Sequence, residues 1–144
     1  MSIRLEGPQQ LVRTTPSNDN LRFILSIIRR MGTHGLRDAA ACNAVMRHFG
    51  GCYRQPWLLM QTMILDLSRH SRQTITIAPV CCQRMTTDES QLIEVIAQVE
   101  CNPARALLLL NDLTGNSECH GLAATISAVR QAFASQGRLL EENY

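Results

Sequence analysis

The run Thr74-Ile75-Thr76-Ile77-Ala78-Pro79-Val80-Cys81-Cys82 constrains the fold more than any other stretch, because it is β-like and lies between segments of helical periodicity. Its alternating β-branched residues suit an extended strand, yet a lone strand leaves backbone amides and carbonyls unpaired. Three arrangements would satisfy it. It can pair with the N-terminal residues, where Ile3 and Leu5 alternate with polar neighbours; it can pair with its own copy in a homodimer; or it can lie as an irregular segment against helices. Pro79 limits its continuation. Thr86-Thr87-Asp88-Glu89 follows at once and reads as a capping box, the start of a helix.

The segments on either side repeat their apolar residues every three and four positions. Asp19 or Asn20 caps a first helix whose Leu21, Ile24, Leu25, Ile28 and Met31 form one stripe, with Arg22, Arg29 and Arg30 mostly off it and Gly32 or Gly35 ending it. A second helix from Leu36 to Phe49 turns Leu36, Ala39, Cys42, Val45, Met46 and Phe49 inward. A third opens at Gln55-Pro56 and reaches Ser68, with Trp57 as a core anchor beside Met60, Met63, Ile64 and Leu67. The fourth, to Glu100, buries Leu92, Ile93, Val95, Ile96 and Val99. The fifth begins at Asn102-Pro103, and Leu107 to Leu110 with Leu113 cover more than half its circumference, which predicts a central position. Leu122, Ala123, Ile126, Val129, Ala132 and Phe133 mark a sixth, ending near Gly137. The expected class is all-α: a compact bundle of about six short helices with one extended segment near residues 74–80. Residues 1–19 read as a flexible arm, 20–137 as a single helical domain and 138–144 as a polar tail.

Charge is distributed unevenly. The chain has 14 Lys+Arg against 12 Asp+Glu, and all the basic residues are arginines. Up to Met85 the arginines outnumber the carboxylates, and beyond Thr86 the balance reverses. Such a chain either packs one half on the other or presents a basic face to an acidic partner, protein or nucleic acid. Arg29, Arg30, Arg37, Arg47, Arg54, Arg69 and Arg72 are the candidate contacts. A coding bias that excludes lysine is the first reading of this composition, and arginine-specific recognition the second. No run is long and apolar enough for a membrane span or an export signal, so no membrane partner and a cytoplasmic location are expected, with the 6 cysteines reduced.

The motifs Arg29-Arg30-Met31-Gly32-Thr33-His34-Gly35-Leu36, Arg54-Gln55-Pro56 and Ala78-Pro79-Val80-Cys81-Cys82-Gln83-Arg84-Met85-Thr86 give the chain its resemblance to a family of small bacterial proteins of unknown function. The likeness spans residues 20–135. It implies a compact cytoplasmic domain and brings no activity, cofactor or site residue.

Cys81 and Cys82 are the sharpest chemical feature. Neighbouring Cα atoms lie about 3.8 Å apart, below the usual disulfide span of about 4.4–6.8 Å, so a bond between them is strained and easily reduced. Arg84 and the helix start at Thr86 are positioned to favour a thiolate. The plainer reading is a pair of small hydrophobes in a tucked loop. Cys52, His70, Cys101, Cys119 and His120 have no zinc spacing with the pair, so no metal or other cofactor is expected. His34 reads as a turn residue, and Asp88-Glu89 and Glu141-Glu142 as a cap and a solvated tail. No Gly-x-Ser-x-Gly, Walker loop or dinucleotide fingerprint is present. The leading expectation is a non-enzymatic helical interaction or regulatory module with an arginine-rich first half. The alternative is a thiol-redox or metal-responsive protein using Cys81, Cys82 and Arg84. A small-molecule binder with a Met- and Leu-lined cavity is a third.

Overall fold

Helix α1 (Asp19–His34) forms because Asn18 accepts hydrogen bonds from the amides of Asn20 and Leu21, and ends where Gly35 adopts φ 102° and donates to Met31 O. The cap is thus one residue earlier than the sequence suggests. The computed structural model describes residues 3–5 and 11–140, with side chains from residue 11 onward. Expectations for residues 1–2, 6–10 and 141–144, including the ends of the arm and tail and Glu141-Glu142, lie outside the described residues.

Helix α2 (Ala39–Phe49) is capped by Asp38, whose carboxylate accepts from the Ala41 amide at 2.9 Å. One 3-10 turn (Gly50–Cys52) joins it to α3 (Arg54–His70), where Pro56 lies in the first turn. Helices α4 (Thr87–Gln98), α5 (Pro103–Thr114) and α6 (His120–Ala134) complete the helices among the described residues.

The fold is predominantly helical but not purely all-α, because residues expected in the arm form strands. Strand β1 (Ile3–Leu5) pairs in parallel with β3 (Ile75–Ile77), and β2 (Leu11–Thr14) pairs antiparallel with β4 (Arg84–Thr86). Of the three arrangements open to the 74–77 run, the chain uses the first. Its other edge is closed by the start of α4: Asp88 accepts from Thr76 N at 2.8 Å, Thr86 Oγ donates to Thr76 O at 2.7 Å, and Glu89 accepts from Ala78 N at 3.2 Å. With both edges met inside one chain, β3 does not require a second copy.

The core is one cluster centred on α1, α4 and α6. Leu21, Ile24, Ile27, Val95, Ile96, Ile126 and Phe133 are all fully inaccessible. Helix α5 is not central. It buries Ala106, Leu110, Leu113 and Thr114 and half-buries Leu107 and Leu109 against the core, whereas Leu108 is 69% exposed, because α5 packs mainly on α4 and turns one side to solvent. Leu140 in the C-terminal tail is buried, and its carbonyl accepts from Arg130.

An aromatic cluster joins the first, second and sixth helices. The His48 ring stacks on Phe23, with centroids 3.9 Å apart and planes 7° from parallel, while Phe49 meets Phe133 edge-on at 4.9 Å. Arg138 donates to His48 O at 2.8 Å and sits over the Phe49 ring. Burial and this guanidinium together hold the His48 imidazole below its ordinary pKa.

Candidate functional sites

The loop from Pro79 to Gln83 is tied down at several points. Cys82 N donates to Pro79 O at 3.0 Å, closing a β-turn with Val80 and Cys81 at its corner. Thr15 N donates to Gln83 O at 3.0 Å, extending the β2–β4 pairing. Arg29 reaches the loop from α1: Nη1 donates to Cys82 O at 2.7 Å and Nη2 to Arg84 O at 2.8 Å. The same guanidinium binds Glu89 through Nε at 2.7 Å and Nη2 at 3.1 Å.

Arg29 and Glu89 are 2% and 1% exposed, so this pair is fully taken out of water. Glu89 also accepts from Thr86 N at 2.9 Å, and Thr86 Oγ accepts from Glu89 N at 3.0 Å, the reciprocal capping box. One buried ion pair therefore joins α1, β3, the cysteine loop and the start of α4. Arg29 is correspondingly unavailable to an outside partner, contrary to its place among the surface arginines. Periodicity put it beside the apolar stripe, and only packing of the loop over α1 encloses it. Asp88, next to Glu89, has its pKa raised, chiefly by burial and secondarily by the neighbouring carboxylate, with the Thr76 amide opposing.

Outside this turn lies a cavity of about 230 Å³ bounded by Thr15, Arg22, Ser26, Arg29, Cys81 and Cys82, among others. Cys81 is exposed and Cys82 half-buried. Arg84, the third member of the expected thiol group, is exposed and contributes its carbonyl to Arg29. The other potential metal ligands do not converge on the pair. Among the described residues no group of three or more His, Cys, Asp or Glu side chains could hold a metal ion. Cys119 is buried, with Sγ 3.2 Å from Thr114 Oγ1, and His70 Nδ1 lies 2.8 Å from Asp66 O.

The remaining candidate arginines lie outside the core. Arg37, Arg47, Arg54, Arg69 and Arg72 are exposed and Arg30 is half-buried. Among the described residues the ion pairs join Arg22 to Asp19, Arg29 to Glu89, Arg105 to Glu94 and Arg130 to Glu100, so none of these six is neutralised internally. They do not form one cluster: Arg54 and Arg69 lie about 22 Å apart along α3 at 1.5 Å per residue.

Those two arginines do share a helical stripe with Leu58, Gln61 and Leu65, which the sequence reading did not single out. Leu58 is 60% exposed. Leu36, Arg37, Leu58, Gln61, Thr62 and Leu65 line a cavity of about 250 Å³, and Met31, Gly35, Leu36, Ile64, Leu65 and Ser68 line one of about 220 Å³. Sharing Leu36 and Leu65, the two form a groove between α3 and the α1–α2 turn, held by Gln61 donating to Leu36 O at 2.7 Å. The sequence signal was the apolar surplus of α3, whose leucines exceed what one buried face needs.

These features define a predominantly helical domain with a buried ion-pair hub, a thiol-bearing cavity and a basic-rimmed apolar groove. Over residues 10–138 the chain matches the Family of unknown function (DUF6628), and it belongs to that family. No curated protein and no solved structure matches it. Among the described residues, no helix is long and apolar enough to cross a membrane.

Proposed function

We propose that the protein is a non-enzymatic interaction module whose α3 groove docks an acidic, amphipathic helix of a partner protein. The observation that carries this reading is the exposed Leu58 on a groove floored by Leu36 and Leu65 and flanked by arginines that no carboxylate among the described residues neutralises. A helix laid in such a groove buries an apolar stripe, and acidic residues on its margins meet Arg37, Arg54 and Arg69. Asp38, the nearest carboxylate in sequence to Arg37, is occupied in capping α2.

The apolar floor favours protein over nucleic acid, whose backbone offers phosphates to such a surface and little to cover leucines. All six cysteines are free, which supports a reducing compartment such as the cytoplasm.

The test uses a stapled helical peptide about four turns long, with leucines on one face and glutamates flanking them, and reads binding by fluorescence anisotropy. A Kd on the order of 10 µM that weakens with salt is expected, falling about tenfold in affinity for Arg54→Gln/Arg69→Gln. A lysine-flanked peptide that binds as well, or a Leu58→Ser variant that retains full affinity, removes this reading.

A further inference from the structure

We infer that Cys81 and Cys82 form a reversible thiol–disulfide exchange site for a low-molecular-weight disulfide, with Cys81 as the attacking thiol and Cys82 as the resolving one. Two observations distinguish this pair from the other cysteines. Cys81 is exposed at the corner of a turn and borders a cavity of about 230 Å³, large enough to admit part of a small disulfide. Cys82, half-buried, is the adjacent residue, so a second thiol is always within reach.

The chemistry balances without a metal or an enzyme-bound oxidant. The Cys81 thiolate attacks one sulfur of the disulfide RSSR, forming Cys81–S–S–R and expelling RS⁻. The Cys82 thiolate then attacks Cys81 Sγ, forming the Cys81–Cys82 disulfide and expelling the second RS⁻. The two protons lost by the cysteines end on the two RS⁻, giving two RSH. The protein pair is oxidised by two electrons and RSSR is reduced by two.

The surrounding structure makes that oxidation reversible and gives it a consequence. Closing a ring between neighbours requires the local backbone to depart from its present turn, yet Cys82 is held on both sides, its N–H by Pro79 O and its carbonyl by Arg29. Releasing these contacts disturbs the guanidinium that also binds Glu89 and Arg84 O, and hence the cap of α4. Oxidation is thereby felt at the β3–α4 junction, and a monothiol in excess reverses it.

The experiment exposes the reduced full chain to oxidised glutathione and follows each cysteine by peptide mass spectrometry. In the wild type, an intramolecular Cys81–Cys82 disulfide is expected, formed about tenfold faster than glutathione adducts at the exposed Cys52 and Cys101. In Cys82→Ser, the glutathione adduct accumulates on Cys81. Excess reduced glutathione returns the wild type to the dithiol, and the oxidised form melts at a lower temperature than the reduced one. Modification of Cys81 no faster than of Cys52 and Cys101, or a stable glutathione adduct on wild-type Cys81, overturns the inference. A folded Cys81→Ser in which Cys82 takes a glutathione adduct as fast as Cys81 does in Cys82→Ser also refutes it.

Discussion

Arg29 Nε donates to Glu89 Oε2 at 2.7 Å across sixty residues of chain, and both side chains are almost wholly excluded from solvent. Because each charge is compensated only by the other and by backbone partners, removing one strands its mate in a low-dielectric interior. Arg29→Met is expected to lower the unfolding free energy by about 3–5 kcal/mol, measured by urea denaturation. The double variant Arg29→Met/Glu89→Gln should lose clearly less than the sum of its singles. Additivity to within about 0.5 kcal/mol would show that the two are not coupled.

Thr86 does two jobs with one hydroxyl: it accepts from Glu89 N at 3.0 Å and donates to Thr76 O at 2.7 Å. Thr86→Ala should cost about 1–2 kcal/mol through loss of the cap and the strand-edge contact, while Thr86→Ser recovers most of it. Thermal melts of the two variants decide the matter; equal stability would assign the effect to the lost methyl instead.

The His48 pKa is lowered by burial first and by Arg138 second, so the folded state binds fewer protons here than the unfolded chain. Its contribution is therefore intact above the unfolded value near 6.5 and declines as pH falls through that value toward the folded one. Unfolding in urea at a series of pH values below about 7 should show falling stability, with a shallower slope in His48→Phe. Asp88 acts with the opposite sign: its pKa is raised, so its contribution is full below 3.8 and is lost as pH rises through the folded value. An unchanged slope in His48→Phe would assign the acid sensitivity elsewhere.

Leu58 and Leu108 are comparably exposed, at 60% and 69%, but only Leu58 borders the groove. Replacing either by serine should change stability by no more than about 0.5 kcal/mol, since neither fills the core. Peptide binding should fall for Leu58→Ser and stay unchanged for Leu108→Ser. Equal losses in the two would point to nonspecific apolar adhesion.

The helices were legible in the chain because their signals are local. The box at Thr86 to Glu89 and the Asn102-Pro103 start need only neighbouring residues, and the structure has both. Helix α5 shows where that logic stops: four consecutive leucines state how much apolar surface exists, not which side receives a neighbour. The groove is of the same kind, since the surplus leucines of α3 were visible but the α1–α2 turn beside them was not.

By itself the sequence determined the six helices, the caps at Thr86 and Asn102 and the lopsided charge, all set by contacts within a few residues. Tertiary structure alone decided that β3 pairs with the N-terminal strand rather than with another molecule, and that Arg29 is enclosed while Arg54 and Arg69 stay outside. The reason is that a guanidinium one step from an apolar stripe can face either water or a carboxylate from a distant segment. Only the folding of that segment over it, bringing Glu89 to 2.7 Å, determines which.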